Sequence, residues 1–96
     1  MELEAPKAVW IAAKHFNAHG ILTGTITRVR GEKGRYGTDY IVTINSQEAG
    51  EVDMTMWGSN YNYLYNTHGH NPENWEGKPI SIIQTMHEGK PRRVVS

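Results

Sequence analysis

Two short stretches of this chain gather cations at turn-forming residues: Gly31-Glu32-Lys33-Gly34-Arg35-Tyr36-Gly37 and His87-Glu88-Gly89-Lys90-Pro91-Arg92-Arg93. Lysine and arginine can follow a row of phosphates while an exposed aromatic ring takes a base on its face, so this mixture has the chemistry of polyanion contact and base stacking. The glycines at 31, 34 and 37 recur every third residue. That spacing matches neither the Walker pattern nor the dinucleotide fingerprint, and no helical pattern follows, so the stretch reads as a flexible hairpin loop and not a nucleotide cradle.

Other chemistries find little to work with. The chain has no cysteine, which removes disulfides, thiolate metal sites and cysteine nucleophiles. Ser46, Ser59, Ser81 and Ser96 lack the glycine context of a nucleophile elbow, and Glu48, Glu51 and Asp53 read as an acidic hairpin. No catalytic constellation emerges, so neither enzymatic activity nor a cofactor is expected. His15 and His19 stand four apart on a predicted helix, and His68 and His70 flank Gly69. Either pair would need further ligands, and no Glu follows His15 as a metalloprotease motif requires, so capping or surface roles are expected in place of a metal.

The elements that must carry these residues follow from length and patterning. Ninety-six residues suit one domain, read here as residues 1–96, and a hydrophobic share of 38% is enough for one core. Ten Lys plus Arg balance ten Asp plus Glu, so any attraction for polyanions must come from local patches, basic at Arg28–Arg35 and Lys90–Arg93. Ala8, Ile11, Ala12 and Phe16 predict an amphipathic helix over Ala5–His19, packed through Val9, Ile11, Ala12 and Phe16 and ended by Gly20. Beyond it, runs rich in Thr, Val, Ile and Tyr between turn residues predict five strands: Ile21–Arg30, Thr38–Asn45, Glu51–Trp57, Lys78–Thr85 and Arg92–Val95. A change of apolar parity in the first run predicts a bulge near Gly24 or Thr27. Within Ser59–Asn74, Leu64 with Tyr61 or Tyr65 predicts a short helix; the alternating Tyr61, Tyr63 and Tyr65 either seal one end of the domain or form a contact ladder. In the second and third strands Tyr40, Val42, Ile44, Val52, Met54 and Met56 share the inward parity. Ile41, Thr43, Thr55 and Trp57 share the outward one.

The stretch Trp75-Glu76-Gly77-Lys78-Pro79-Ile80 resembles the aromatic-x-Gly-Lys-x-aliphatic lead-in to the fourth strand of OB-fold nucleic-acid binders, and Glu88-Gly89-Lys90 resembles their last hairpin turn. The likeness covers roughly Ile21–Val95. It implies a mainly β domain, a five-stranded OB-type Greek-key barrel with an N-terminal helix and a short helix between strands three and four. It also implies a ligand lying across strands two and three, between the first-to-second and fourth-to-fifth loops. On that surface Trp57 and Tyr36 are the expected stacking residues, Thr43 and Thr55 share the outward face, and Arg28, Arg30, Lys33, Arg35, Lys90, Arg92 and Arg93 are the expected phosphate contacts. Asp39 and Asp53 have the same outward parity and would repel phosphate unless each is paired with an arginine of a neighbouring strand.

Two functions fit these expectations. The first is non-catalytic binding of single-stranded nucleic acid, DNA ahead of RNA, in a phage-like accessory protein of DNA replication. The second is a protein-interaction or oligomerisation module on the same barrel, favoured by the neutral charge, with a second copy or a replication protein as partner. The apolar stretch Ala8–Ala13 is too short for a membrane span and lies too near charges for a signal peptide, so a cytoplasmic, membrane-free protein is expected.

Overall fold

The structure, a computed structural model, describes residues 9–96. Five antiparallel strands form one sheet: β1 (Ile21–Gly34), β2 (Gly37–Ser46), β3 (Gly50–Met56), β4 (Pro79–His87) and β5 (Lys90–Val95), in the order β3-β2-β1-β4-β5. One α-helix, α1 (Gly58–His68), and a short 3-10 turn at Pro72–Trp75 connect β3 to β4. Each predicted strand is present. The apolar alternation that predicted β2 and β3 is borne out, since Val42, Ile44, Val52, Met54 and Met56 all enter the core with Leu22, Ile26, Ile80, Ile82 and Val95.

β1 belongs to both halves of the sheet. Its first part, Ile21–Thr25, pairs with β4, and its second, Thr25–Gly34, pairs with β2. The register with β2 shifts between Ile26 and Arg28, which places the expected bulge at Thr27. Gly24 lies where the two halves meet. A Cβ there would stand 2.5 Å from the Asn45 carbonyl oxygen, so only glycine permits this approach of β1 to β2.

The stretch expected to be a flexible loop is instead ordered hairpin. Gly31 to Gly34 continue the ladder against Tyr40 to Gly37, leaving Arg35 and Tyr36 as a two-residue tip. Cross-strand hydrogen bonds carry the pairing outward, and no long loop remains between these strands.

The helix over Ala5–His19 is not seen. Of that range residues 5–8 lie outside the described residues, and the remainder is non-helical apart from a 3-10 turn at Ala13–His15, with a bend at Phe16 and a turn at residues 18–19. Asp53 of β3 explains the difference. Its amide donates to the Val9 carbonyl at 2.8 Å and its carbonyl accepts from the Ile11 amide at 3.0 Å, making a parallel bridge centred on Trp10. A helix of this length is marginal by itself, so a sheet edge with unpaired backbone groups captures the segment. Asn17 then turns the chain into β1, its Oδ1 accepting from the amides of His19 and Ile21.

The sheet does not close into a barrel, which corrects the expected architecture: β3 and β5 are its two edges and do not pair with each other. Each edge is covered by something else. The Val9–Ile11 strap occupies β3 at Asp53. On β5 the carboxamide of Asn60, from α1, donates to the Arg93 carbonyl at 2.9 Å and accepts from the Val95 amide at 2.9 Å, in the manner of a neighbouring strand.

α1 buries Leu64 completely and packs Tyr61 and Tyr65 against the core, as its spacing predicts. Tyr61 stacks on Tyr40 at 5.7 Å and meets Trp75 edge-on at 5.6 Å between ring centroids. Trp75 is buried, and its indole N–H donates to the Gly69 carbonyl at 2.9 Å. These rings seal one end of the sheet, while Tyr63 points outward. No helix among the described residues is long and apolar enough to cross a membrane.

Candidate functional site

The outward faces of β2 and β3 carry two different arrangements. In the middle, Thr43 and Asp53 face each other across the ladder. The Asp53 carboxylate is buried, accepts from the Thr43 hydroxyl at 2.6 Å and lies 3.1 Å from the Arg30 guanidinium. Burial works against the Arg30 charge, but hydrogen bonding and attraction from Asp53, with a smaller share from Glu32, outweigh it and hold the guanidinium above its ordinary value. The condition set for Asp53 is met by Arg30, which reaches it across β2 from β1, whereas Asp39 accepts from Trp57 and has no ion pair among the described residues. Ile41, expected on the open face, has the outward parity but is only 3% exposed. It sits in the ladder between Arg30 and Thr55, outside the main core.

The second arrangement lies at the rim. Trp57 follows the last residue of β3 and immediately precedes α1, with extended backbone, so strand parity sends its indole outward while the helix begins behind it. It is 66% exposed, and its Nε1 donates to Asp39 Oδ1 at 3.3 Å. Tyr36, at the hairpin tip, is 93% exposed, with the Arg35 guanidinium 5.6 Å from its ring centroid. Arg35, Tyr36, Asp39 and Trp57 line one hollow of about 420 Å³. Gly34 makes room for this floor: a Cβ at that position would overlap the Asp39 carboxylate.

Trp57 also lines two further hollows. One, of about 300 Å³, lies against α1 with Tyr61 and Asn62. The other, of about 490 Å³, occupies the seam between the sheet edges and includes Trp10, Thr55, Arg92 and Arg93. The indole is thus a shared wall of all three.

Among the residues singled out from sequence, the structure gathers Trp57, Tyr36 and Arg35 in one hollow and Trp57, Thr55, Arg92 and Arg93 in another. Arg93 is partly engaged, its Nε donating to Gln84 at 3.1 Å and its guanidinium lying 5.7 Å from the Phe16 ring centroid. Arg30 and Thr43 are held by Asp53. Arg28, Lys33 and Lys90 are exposed but line none of these hollows. Two of the histidines have local partners: His15 Nδ1 accepts from the Ala12 amide, and His70 stacks on Tyr65 at 4.2 Å.

Sequence reasoning missed Trp10 and Asn60. Trp10 had a faint signal, for it falls off the apolar face of the helix predicted there, which is an expensive place for an indole. Asn60 had none, because its role is defined by an edge some 35 residues away in sequence. Compared with known proteins, the chain matches no family model and no curated protein.

Proposed function

We propose that this chain is an OB-like, half-open barrel that binds single-stranded nucleic acid, DNA ahead of RNA, without catalysing a reaction. The strand order supports the fold: a β1-β2-β3 meander, a helix, then β4 on the far side of β1 and β5 beside it is the path of a five-stranded, partly open Greek-key barrel. One observation carries the function. An indole left 66% exposed shares a hollow with a nearly fully exposed tyrosine and an arginine, beside the β1–β2 tip. Burying such rings against bases contributes roughly 1 to 3 kcal/mol per base and requires no particular base, so little sequence preference is expected.

Net charge is zero, so the attraction for phosphate is local and modest. Asp53 does not oppose it, being neutralised by Arg30. Asp39 occupies the hollow beside Trp57, which favours a base over a phosphate at that point.

The test is a titration of intrinsic tryptophan fluorescence with oligo-dT and oligo-U at two salt concentrations. Quenching that weakens with salt is expected, and Trp57→Ala is expected to lower affinity at least about tenfold. Unaltered affinity in that variant would remove the site.

A second reading, a self-association or protein-docking module, draws support from Met86 and Ile83, apolar side chains left exposed on β4 of a protein with zero net charge. Sizing chromatography with and without oligonucleotide separates the two: a dimer indifferent to oligonucleotide favours the second.

A further inference from the structure

We infer that Trp10 supplies a second stacking position, so that a bound strand passes from the hairpin tip over Trp57 into the seam between the sheet edges, where Arg92 meets a phosphate. The inference rests on the single-strand reading above and extends it to a part of the molecule outside the β2–β3 face.

The seam hollow, about 490 Å³, is within the range of roughly 300–1,000 Å³ typical of ligand sites, and it shares Trp57 as a lining residue with the rim hollow. Among the described residues its ionisable lining is Arg92 and Arg93, whereas the hairpin-side hollow sets Asp39 against Arg35. A phosphate is therefore better accommodated in the seam, and a base with donor groups on its edge beside Asp39. Arg93 is turned toward Gln84 and Phe16, which leaves Arg92 as the more available cation.

Trp10 is 52% exposed although its segment is fixed. Two backbone hydrogen bonds bind the strap to Asp53, and Arg30 and Thr43 in turn hold the Asp53 carboxylate. The indole is thus presented from a pinned backbone, so a ligand that stacks on it meets little of the ordering cost of a loose segment.

The backbone around the seam argues against a peptide strand as the occupant. Ser81 and Ser96 exchange both backbone hydrogen bonds, so by alternation Pro91, Arg93 and Val95 turn their main-chain groups to the free edge of β5. Pro91 has no amide to donate, and Asn60 already holds the Arg93 carbonyl and the Val95 amide. On β3 the strap already holds Asp53. What the seam presents is rings and cations, which suit a nucleotide.

The experiment uses the full chain and oligo-dT of about four and about twelve nucleotides, spanning the site sizes found for such domains. Trp57→Phe keeps a ring at the rim and leaves Trp10 as the exposed indole, since Trp75 is buried. Saturation of that variant with the longer oligonucleotide is expected to quench its fluorescence. Trp10→Ala is expected to lose about tenfold in affinity for the longer oligonucleotide, with most of the gain from length removed, and Trp10→Phe to restore it. Arg92→Ala is expected to reduce the salt slope for the longer oligonucleotide by about one. Unchanged affinity of Trp10→Ala for the longer oligonucleotide, or no quenching in saturated Trp57→Phe, would overturn the inference while leaving the rim site standing. Failure of the unaltered protein to bind either length would overturn both.

Discussion

At the middle of the β2–β3 ladder, Thr43 and Asp53 face each other and are tied together with Arg30; just past the Tyr40–Met56 pair at its rim, Asp39 and Trp57 meet through a single long hydrogen bond. Both regions use the same outward parity of the same strands. The middle turns charge and hydroxyl inward on themselves beside the strap, and the rim leaves its ring uncovered. A polar outward face is therefore not uniformly a ligand surface. Where a carboxylate is buried, its partners are committed to it, because a buried charge without them is too costly to keep.

The comparison breaks most readily at Arg30. Arg30→Ala would leave the Asp53 carboxylate buried without its cation, and the expected loss is about 2 to 3 kcal/mol of unfolding free energy, read by urea denaturation. Trp57→Ala, in the same assay, should shift stability by less than about 1 kcal/mol while it weakens binding, because the indole is mostly solvent-facing. If instead Arg30→Ala keeps its stability and loses affinity, the middle and the rim have exchanged roles.

A smaller effect is expected at the β5 edge. Asn60→Ala removes both hydrogen bonds that clasp Arg93 and Val95, a cost of about 1 to 2 kcal/mol, and hydrogen exchange at the Val95 amide should quicken beyond the global change. Protection of that amide unchanged by the substitution would mean that the edge is held by something else.

The smallest effect is expected at Lys33, exposed near the hairpin tip and outside the three hollows. Lys33→Ala should alter the salt slope of oligonucleotide binding by less than Arg35→Ala does, the latter by about one. Equal slopes would widen the contact surface to the whole hairpin and sharpen where the rim ends.

How far the sequence could be read differs from element to element for identifiable reasons. Val42, Ile44, Val52, Met54 and Met56 announced their strands because a side-chain period of two is a local property of an extended chain with one buried face. Leu64 with Tyr61 and Tyr65 announced α1 in the same way. The parity change after Ile26 announced the bulge. Gly31 to Gly37 misled, since glycine clusters usually mark loops, and here the glycines let Tyr40 and Asp39 cross close to the opposite strand. Val9 to Phe16 misled in the other direction, because an apolar spacing that suits a helix was overridden by a sheet edge with hydrogen bonds to offer.

At the site, Trp57 and Tyr36 were legible as exposed rings from parity and from their place at a turn, and the nearby cations from composition. Strand parity follows from neighbours along the chain, so residue order is sufficient to specify it, whereas the burial of outward-parity Ile41 and Asp53 came from packing. Whether the two sheet edges would meet, what would cover each, and that Trp10 would be carried to the same hollow as Arg92 depended on segments far apart in sequence. Those outcomes were settled by which backbone groups remained unpaired once the sheet had formed, and that is known only when the whole chain is packed.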